Sequence, residues 1–123
     1  MGGRGSAGGR QKSFSAPAMT GSERQVSWAK DIIETPYRNL GQKAETAATI
    51  AKRFEGSGVS AADYRAEESA YRSAQREYAR QVNDLANRAP GGLTASQVID
   101  RRGVFQTLAN QISEEQLRRR RSR

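Results

Sequence analysis

The sequence predicts an all-α protein: a small four-helix domain containing a central antiparallel helical hairpin, with disordered basic arms at both ends. Three observations carry that expectation. Apolar residues recur at helical spacing through most of residues 20–117, and no segment shows the period-two alternation of a half-buried strand. Two breaks, Gly56-Ser57-Gly58 and Pro90-Gly91-Gly92, cut that region into helix-length pieces. Leu, Ile, Val and Phe number only 18 of 123 residues, so alanine and tyrosine must supply much of the packing, which suits helices lying close together. A chain of this length has room for one domain with a modest core, and a partner or a homo-oligomer is expected to help stabilise it.

The elements follow in order. Thr20 with Glu23 and Ser22 with Gln25 form two overlapping capping boxes, which secure the start of a first helix but leave its register open. Val26, Ala29, Ile32 and Ile33 line one face of it. Pro36 stops or kinks this helix, and Thr35-Pro36 suits the N-cap and first position of a second one. Tyr37, Leu40, Ala44, Ala47, Ala48, Ala51 and Phe54 carry that second helix to the glycine break. A third helix, capped by Ser60 and Asp63, places Tyr64, Tyr71, Ala74, Tyr78, Val82 and Leu85 on one face. The second and third helices form the antiparallel hairpin. Thr94, with Gln97 as its capping partner, opens a fourth helix through Val98, Phe105, Leu108 and Ile112. Gly103 is a candidate kink or split, and Ser113 with Gln116 a candidate restart. The expected organisation is a mobile Gly/Arg-rich arm over 1–19, a helical domain over 20–117 and an arginine-rich tail over 118–123.

The net charge is +8, and all of the excess lies at the ends. Residues 1–30 carry a surplus of four positive charges and residues 90–123 another four, whereas residues 31–89 balance. Balanced charge suits solvent-exposed helix faces. Basic flanks are not needed for folding; they attract polyanions, because neutralising phosphates releases condensed counterions. Arginine also grips phosphate with a planar fork and stacks on bases. The candidate contacts for nucleic acid or an acidic partner are therefore Arg4, Arg10, Lys12, Arg24, Lys30, Arg101, Arg102, Arg118, Arg119, Arg120, Arg121 and Arg123. Arg101 and Arg102 could instead pair with Asp31 or Glu34.

The chain has no cysteine and no histidine. That removes thiol nucleophiles, imidazole acid–base chemistry and the usual zinc ligand sets. The acidic residues sit among Arg and Lys at helix-surface spacing, as ordinary ion pairs do. No enzyme, metal or cofactor is expected. No apolar run is long enough to span a bilayer, so a cytosolic protein is expected. The opening MGGRGS fits an N-myristoylation pattern, but also a plain low-complexity tail.

Four aromatic residues stand between two roles. Tyr64, Tyr71 and Tyr78 recur every seven residues and could form a stacking platform for bases, although an aromatic stripe at helical spacing is more often core. Trp28, the only tryptophan, could meet a partner, or could dock the first helix on the hairpin.

Two stretches resemble known sequences. "TGSERQVSWAKDI" resembles the GS-x-K/R-Q-x-x-W-A-x-x-I segment of small helical proteins of phages, prophages and mobile elements, and "TASQVIDRR" resembles the A-S-x-x-I-D-x-R segment that accompanies it. The resemblance implies a phage or mobile-element accessory protein in the cytoplasm of a bacterial host, where N-myristoylation does not apply. It implies no activity. The expected function is non-enzymatic binding of nucleic acid or a nucleoprotein complex through the basic termini. The alternatives are a protein–protein inhibitor of a host enzyme or defence complex, such as a CRISPR–Cas effector, and a small virion assembly component. No small-molecule substrate and no membrane partner are expected.

Overall fold

A computed structural model describes residues 14–57 and 60–121, the last of these without its side chain. The order is β1 (Met19–Thr20), α1 (Glu23–Phe54), α2 (Ala62–Arg88), β2 (Leu93–Thr94), α3 (Ala95–Asp100) and α4 (Arg102–Arg121). The described residues are all-α with four helices, but their boundaries are not those the sequence suggests. The expected first and second helices are one 32-residue helix that runs through Pro36. The expected fourth helix is divided into α3 and α4, with the break at Arg101 rather than at Gly103.

Pro36 lacks an N–H, so the carbonyl of Ile32 loses its helical donor; inside an isolated helix such a residue costs about 3 kcal/mol. Here α2 grips the backbone on both sides of it. The Tyr78 hydroxyl donates to the Ile33 carbonyl at 2.6 Å, and Gln75 Nε2 donates to the Tyr37 carbonyl at 2.9 Å. Tyr78 is fully buried and Gln75 nearly so. Pro36 itself is buried. Tertiary contact thus overrides the local tendency to break. Burial pushes the Tyr78 phenol pKa far up, so it remains a neutral donor at any ordinary pH.

The α1–α2 hairpin is antiparallel: Tyr78 meets Ile33, Gln75 meets Tyr37, and further out the Tyr64 ring lies 5.5 Å from Phe54. Small residues let the helices approach. Ala29, Ala44, Ala47 and Ala51 of α1 and Ala70 and Ala74 of α2 are buried. Gly41 is the closest case, since a Cβ there would stand 2.6 Å from Gln75 Nε2. α4 packs along the other side of α2, also antiparallel: Arg120 reaches Ser69 and Ser73 of α2. Val98, Phe105, Ala109 and Ile112 join Ile33, Tyr78 and Val82 in the core.

The caps explain where the helices start. Of the two overlapping boxes, Ser22–Gln25 is used: Ser22 Oγ accepts from Gln25 N at 3.2 Å and Gln25 Oε1 accepts from Ser22 N. Thr94–Gln97 caps α3 in the same way. The expected Ser60–Asp63 cap is not formed; the N-cap is Ala61, and Ser60 Oγ accepts only from Ala62 N. No restart occurs at Ser113, because α4 is continuous there.

The packed body extends further than residues 20–117. Phe14 lies 5.1 Å from the Tyr37 ring and edge-on to Tyr78, and Ala16 N donates to Glu34 Oε2 at 2.9 Å. Met19 and Thr20 then pair in parallel with Leu93 and Thr94. This two-residue ladder is the strand pairing that the sequence did not predict, and it is too short to show alternation. At the other end, Arg118–Arg121 forms the last turn of α4.

Two outcomes test the hairpin. Tyr78→Phe removes the hydroxyl and lowers stability in urea unfolding by about 1 kcal/mol. Gly41→Ala, which stabilises an ordinary helix by roughly 0.5–1 kcal/mol, here destabilises, because Gln75 must abandon the Tyr37 carbonyl. In a Gln75→Ala background the same change reverts to stabilising.

Candidate functional site

The end of the bundle where α1 begins, α2 finishes and α3 gives way to α4 gathers the features that could meet a partner. Trp28 stands in the second turn of α1. Its neighbours Ala29 and Ile33 are fully buried, but Trp28 is 51% exposed. This corrects the expectation that it docks α1 on the hairpin. α1 turns its Ala29–Ile33 side to the core, and the indole falls outside that side. The Arg102 guanidinium lies 5.9 Å from the Trp28 ring centroid. Arg102 Nη1 also donates to the Ile99 carbonyl at 2.9 Å, which holds the cation in place. Arg24, one turn before Trp28 on the same side of α1, is exposed.

Among the described residues none of these cations makes an ion pair. Arg38, not Arg101 or Arg102, takes both Asp31 and Glu34, at 3.2 and 3.6 Å. Among the described residues Arg24, Lys30, Arg88, Arg101 and Arg102 make no ion pair, whereas Arg38, Arg65 and Arg80 each hold two carboxylates.

The helix break sends its two arginines opposite ways. Arg102 covers Trp28, and Arg101 lines an open groove of about 850 Å³ between α2 and α4. Leu85 and Val104, on its walls, are 44% and 54% exposed. One wall of the groove is stiffened by charge. Arg80 bonds to Glu77 at 2.6 Å and Asp84 at 2.7 Å. Hydrogen bonds from Arg80 and then from Gln81 hold the Glu77 carboxyl at about 2, well below its ordinary range.

The remaining sequence candidates are dispersed. Arg118–Arg120 sit almost a full α4 length, about 25 Å, from Arg102. Arg119 is paired with Glu115 at 2.7 Å. Arg120 bonds to Gln116, Ser73 and Ser69, at 2.8, 3.0 and 3.3 Å, fastening α4 to α2. Lys30 is exposed on α1. Arg4, Arg10, Lys12, Arg123 and the Arg121 side chain lie outside the described residues. The tyrosine platform does not form. Tyr78 is buried, Tyr64 packs on Phe54 across the hairpin, and half-buried Tyr71 has Lys43 Nζ 5.9 Å from its ring centroid.

The groove was missed from sequence, although Leu85 and Leu108, which line it, both lie on recognised apolar stripes. Which part of a stripe stays uncovered depends on how far α4 slides along α2, and that is set by contacts remote from it, such as Arg120 on Ser73.

Among the described residues no cluster of His, Cys, Asp or Glu could hold a metal ion, and no helix is long and apolar enough to cross a membrane. No protein-family model, curated protein or solved structure matches the chain.

The lowered Glu77 pKa sets a sign for pH. Its contribution is fully present above the ordinary carboxylate value near 4.5 and is lost as pH falls toward 2. Because the pair is partly exposed, the loss is below about 1 kcal/mol. Urea midpoints measured from pH 6 to pH 2 fall less steeply for Glu77→Gln than for the parent.

Proposed function

We propose that this protein is a non-enzymatic binder of nucleic acid or of a nucleoprotein complex, encoded by a phage or mobile element and acting in a bacterial cytoplasm. The observation that carries this reading is the exposed Trp28 beneath Arg102, with Arg24 on the same side and, among the described residues, no ion pair to either arginine. An exposed indole offers a stacking face to any base, and adjacent guanidinium groups offer phosphate contacts. Burying an indole is ordinarily favourable, so leaving the only tryptophan half in water suits a residue kept for a partner. The charge of the whole chain, +8 and concentrated at its ends, supports the same reading by steering the molecule toward polyanions. The phage context rests on the resemblance of residues 20–32 and 94–102. No base-specific recognition is proposed.

The reading is tested by fluorescence anisotropy with labelled single-stranded oligonucleotides across a salt series. Binding weakens steeply as salt rises. Trp28→Ala lowers affinity by about tenfold, the loss of one stacked base. Changing Arg121 and Arg123 together to Gln keeps the Arg119 and Arg120 contacts of α4 and flattens the salt slope by up to about 1.4, at roughly 0.7 per single-strand phosphate contact. Absence of binding at low salt contradicts the proposal, as does an affinity untouched by Trp28→Ala.

A further inference from the structure

We propose that the groove between α2 and α4 is a docking site for an amphipathic helix of a partner protein, one with acidic residues flanking an apolar stripe. The shape supports a helix. The α4 wall runs from Gly103 to Gln111 and the α2 wall runs antiparallel to it from Arg88 to Arg80, each about 12 Å at 1.5 Å per residue, with Asp100 and Arg101 of the helix break closing one end. Leu85, Val104 and Leu108 give it an apolar strip. At its Arg88–Arg101 end a second cavity of about 390 Å³ continues inward, shares Leu85 and Val104, and is floored by buried Leu93, Val98 and Phe105. A groove with an apolar pocket at one end suits a helix whose anchor residues recur at three- and four-residue spacing.

Charge selects the occupant. Arg88 and Arg101 stand on opposite walls at the pocket end and make no ion pair among the described residues. Asp84, on the same groove, is held by Arg80 and so does not neutralise them. Asp100 is the one open acid on the groove wall. The rim therefore has a positive surplus where the pocket opens. A second copy of this chain is disfavoured by the same account, because it carries +8 itself. The basic N-terminal residues 1–13, with three Arg/Lys and no Asp or Glu, are equally ill-suited. The site is separate from the Trp28 surface, since Arg101 and Arg102 point to different sides of the helix break.

The probe is a displayed library of random peptides of about 16 residues, enough helix to span the groove, selected against the nuclease-treated full chain. Enriched peptides are expected to carry Leu, Ile or Phe at three- and four-residue spacing with Asp or Glu beside them. Leu85→Ser and Val104→Ser, both at exposed positions, should each weaken their binding by about tenfold with unchanged circular dichroism. The double charge reversal Arg88→Glu with Arg101→Glu should turn the selection toward basic peptides. Trp28→Ala should leave peptide affinity unchanged. The proposal is overturned by any of four results: no enrichment, enrichment of basic peptides by the parent, affinity insensitive to Leu85 and Val104, or displacement of the peptides by an oligonucleotide. A dimer in sedimentation equilibrium that Val104→Ser dissociates would assign the groove to a second copy and overturn it as well.

Discussion

Two side-chain hydrogen bonds to the backbone of α1, from Tyr78 to Ile33 and from Gln75 to Tyr37, straddle Pro36 and hold the molecule together as one bundle. They do more than add stability. A proline in mid-helix weakens the local case for a straight continuation, and both carbonyls lie beside it. Because α2 supplies donors on either side, the segment before Pro36 stays in line with the segment after it. Gly41 leaves the room that the Gln75 amide occupies on its way to the Tyr37 carbonyl, since a Cβ there would stand 2.6 Å from Gln75 Nε2. Phe14 then packs over Tyr37 and Tyr78, so the N-terminal strand is fastened to the same point.

The placement of the surface chemistry depends on that alignment. With α1 continuous, its first two turns lie alongside α3 and the start of α4, and Arg102 can reach Trp28. Had α1 broken at Pro36, Trp28 would belong to a separate helix free to bury it. The charges sort in a similar way. Arg38 and Arg80 along the bundle, and Arg65 at its hairpin end, are each engaged by two carboxylates. At the end formed by Trp28, Arg88 and the α3–α4 break, the arginines have none among the described residues. A surface built of an exposed aromatic, unneutralised guanidinium groups and a neighbouring apolar groove has the components from which binding sites are made.

Much of the fold is legible in the sequence because it is written locally. The Thr94–Gln97 box, the glycine break after Phe54 and the Pro-Gly-Gly break after Ala89 each act through a few adjacent atoms, and each does what its chemistry implies. Pro36 is the departure with the largest consequence: its local meaning is correct, but residues 75 and 78, about forty positions away, outweigh it. The site divides along the same line. The charge at the ends is a sum and can be read directly. Whether Trp28 is core or surface depends on the rotation of α1 against three other helices, a matter of about 100° per residue, and no local pattern decides it. The C-terminal arginines look alike in sequence, yet Arg119 pairs with Glu115 and Arg120 reaches serines of α2, and no short-range signal says which partner each takes.

The most direct test uses the single tryptophan as its own reporter. The emission of Trp28 in the free protein should be that of an indole in contact with water. Addition of a single-stranded oligonucleotide at low salt should quench it, and added salt should restore it. A buried-type emission in the free protein, or a spectrum unmoved at saturating oligonucleotide, would contradict the claim that this end of the bundle is kept open for a polyanionic partner.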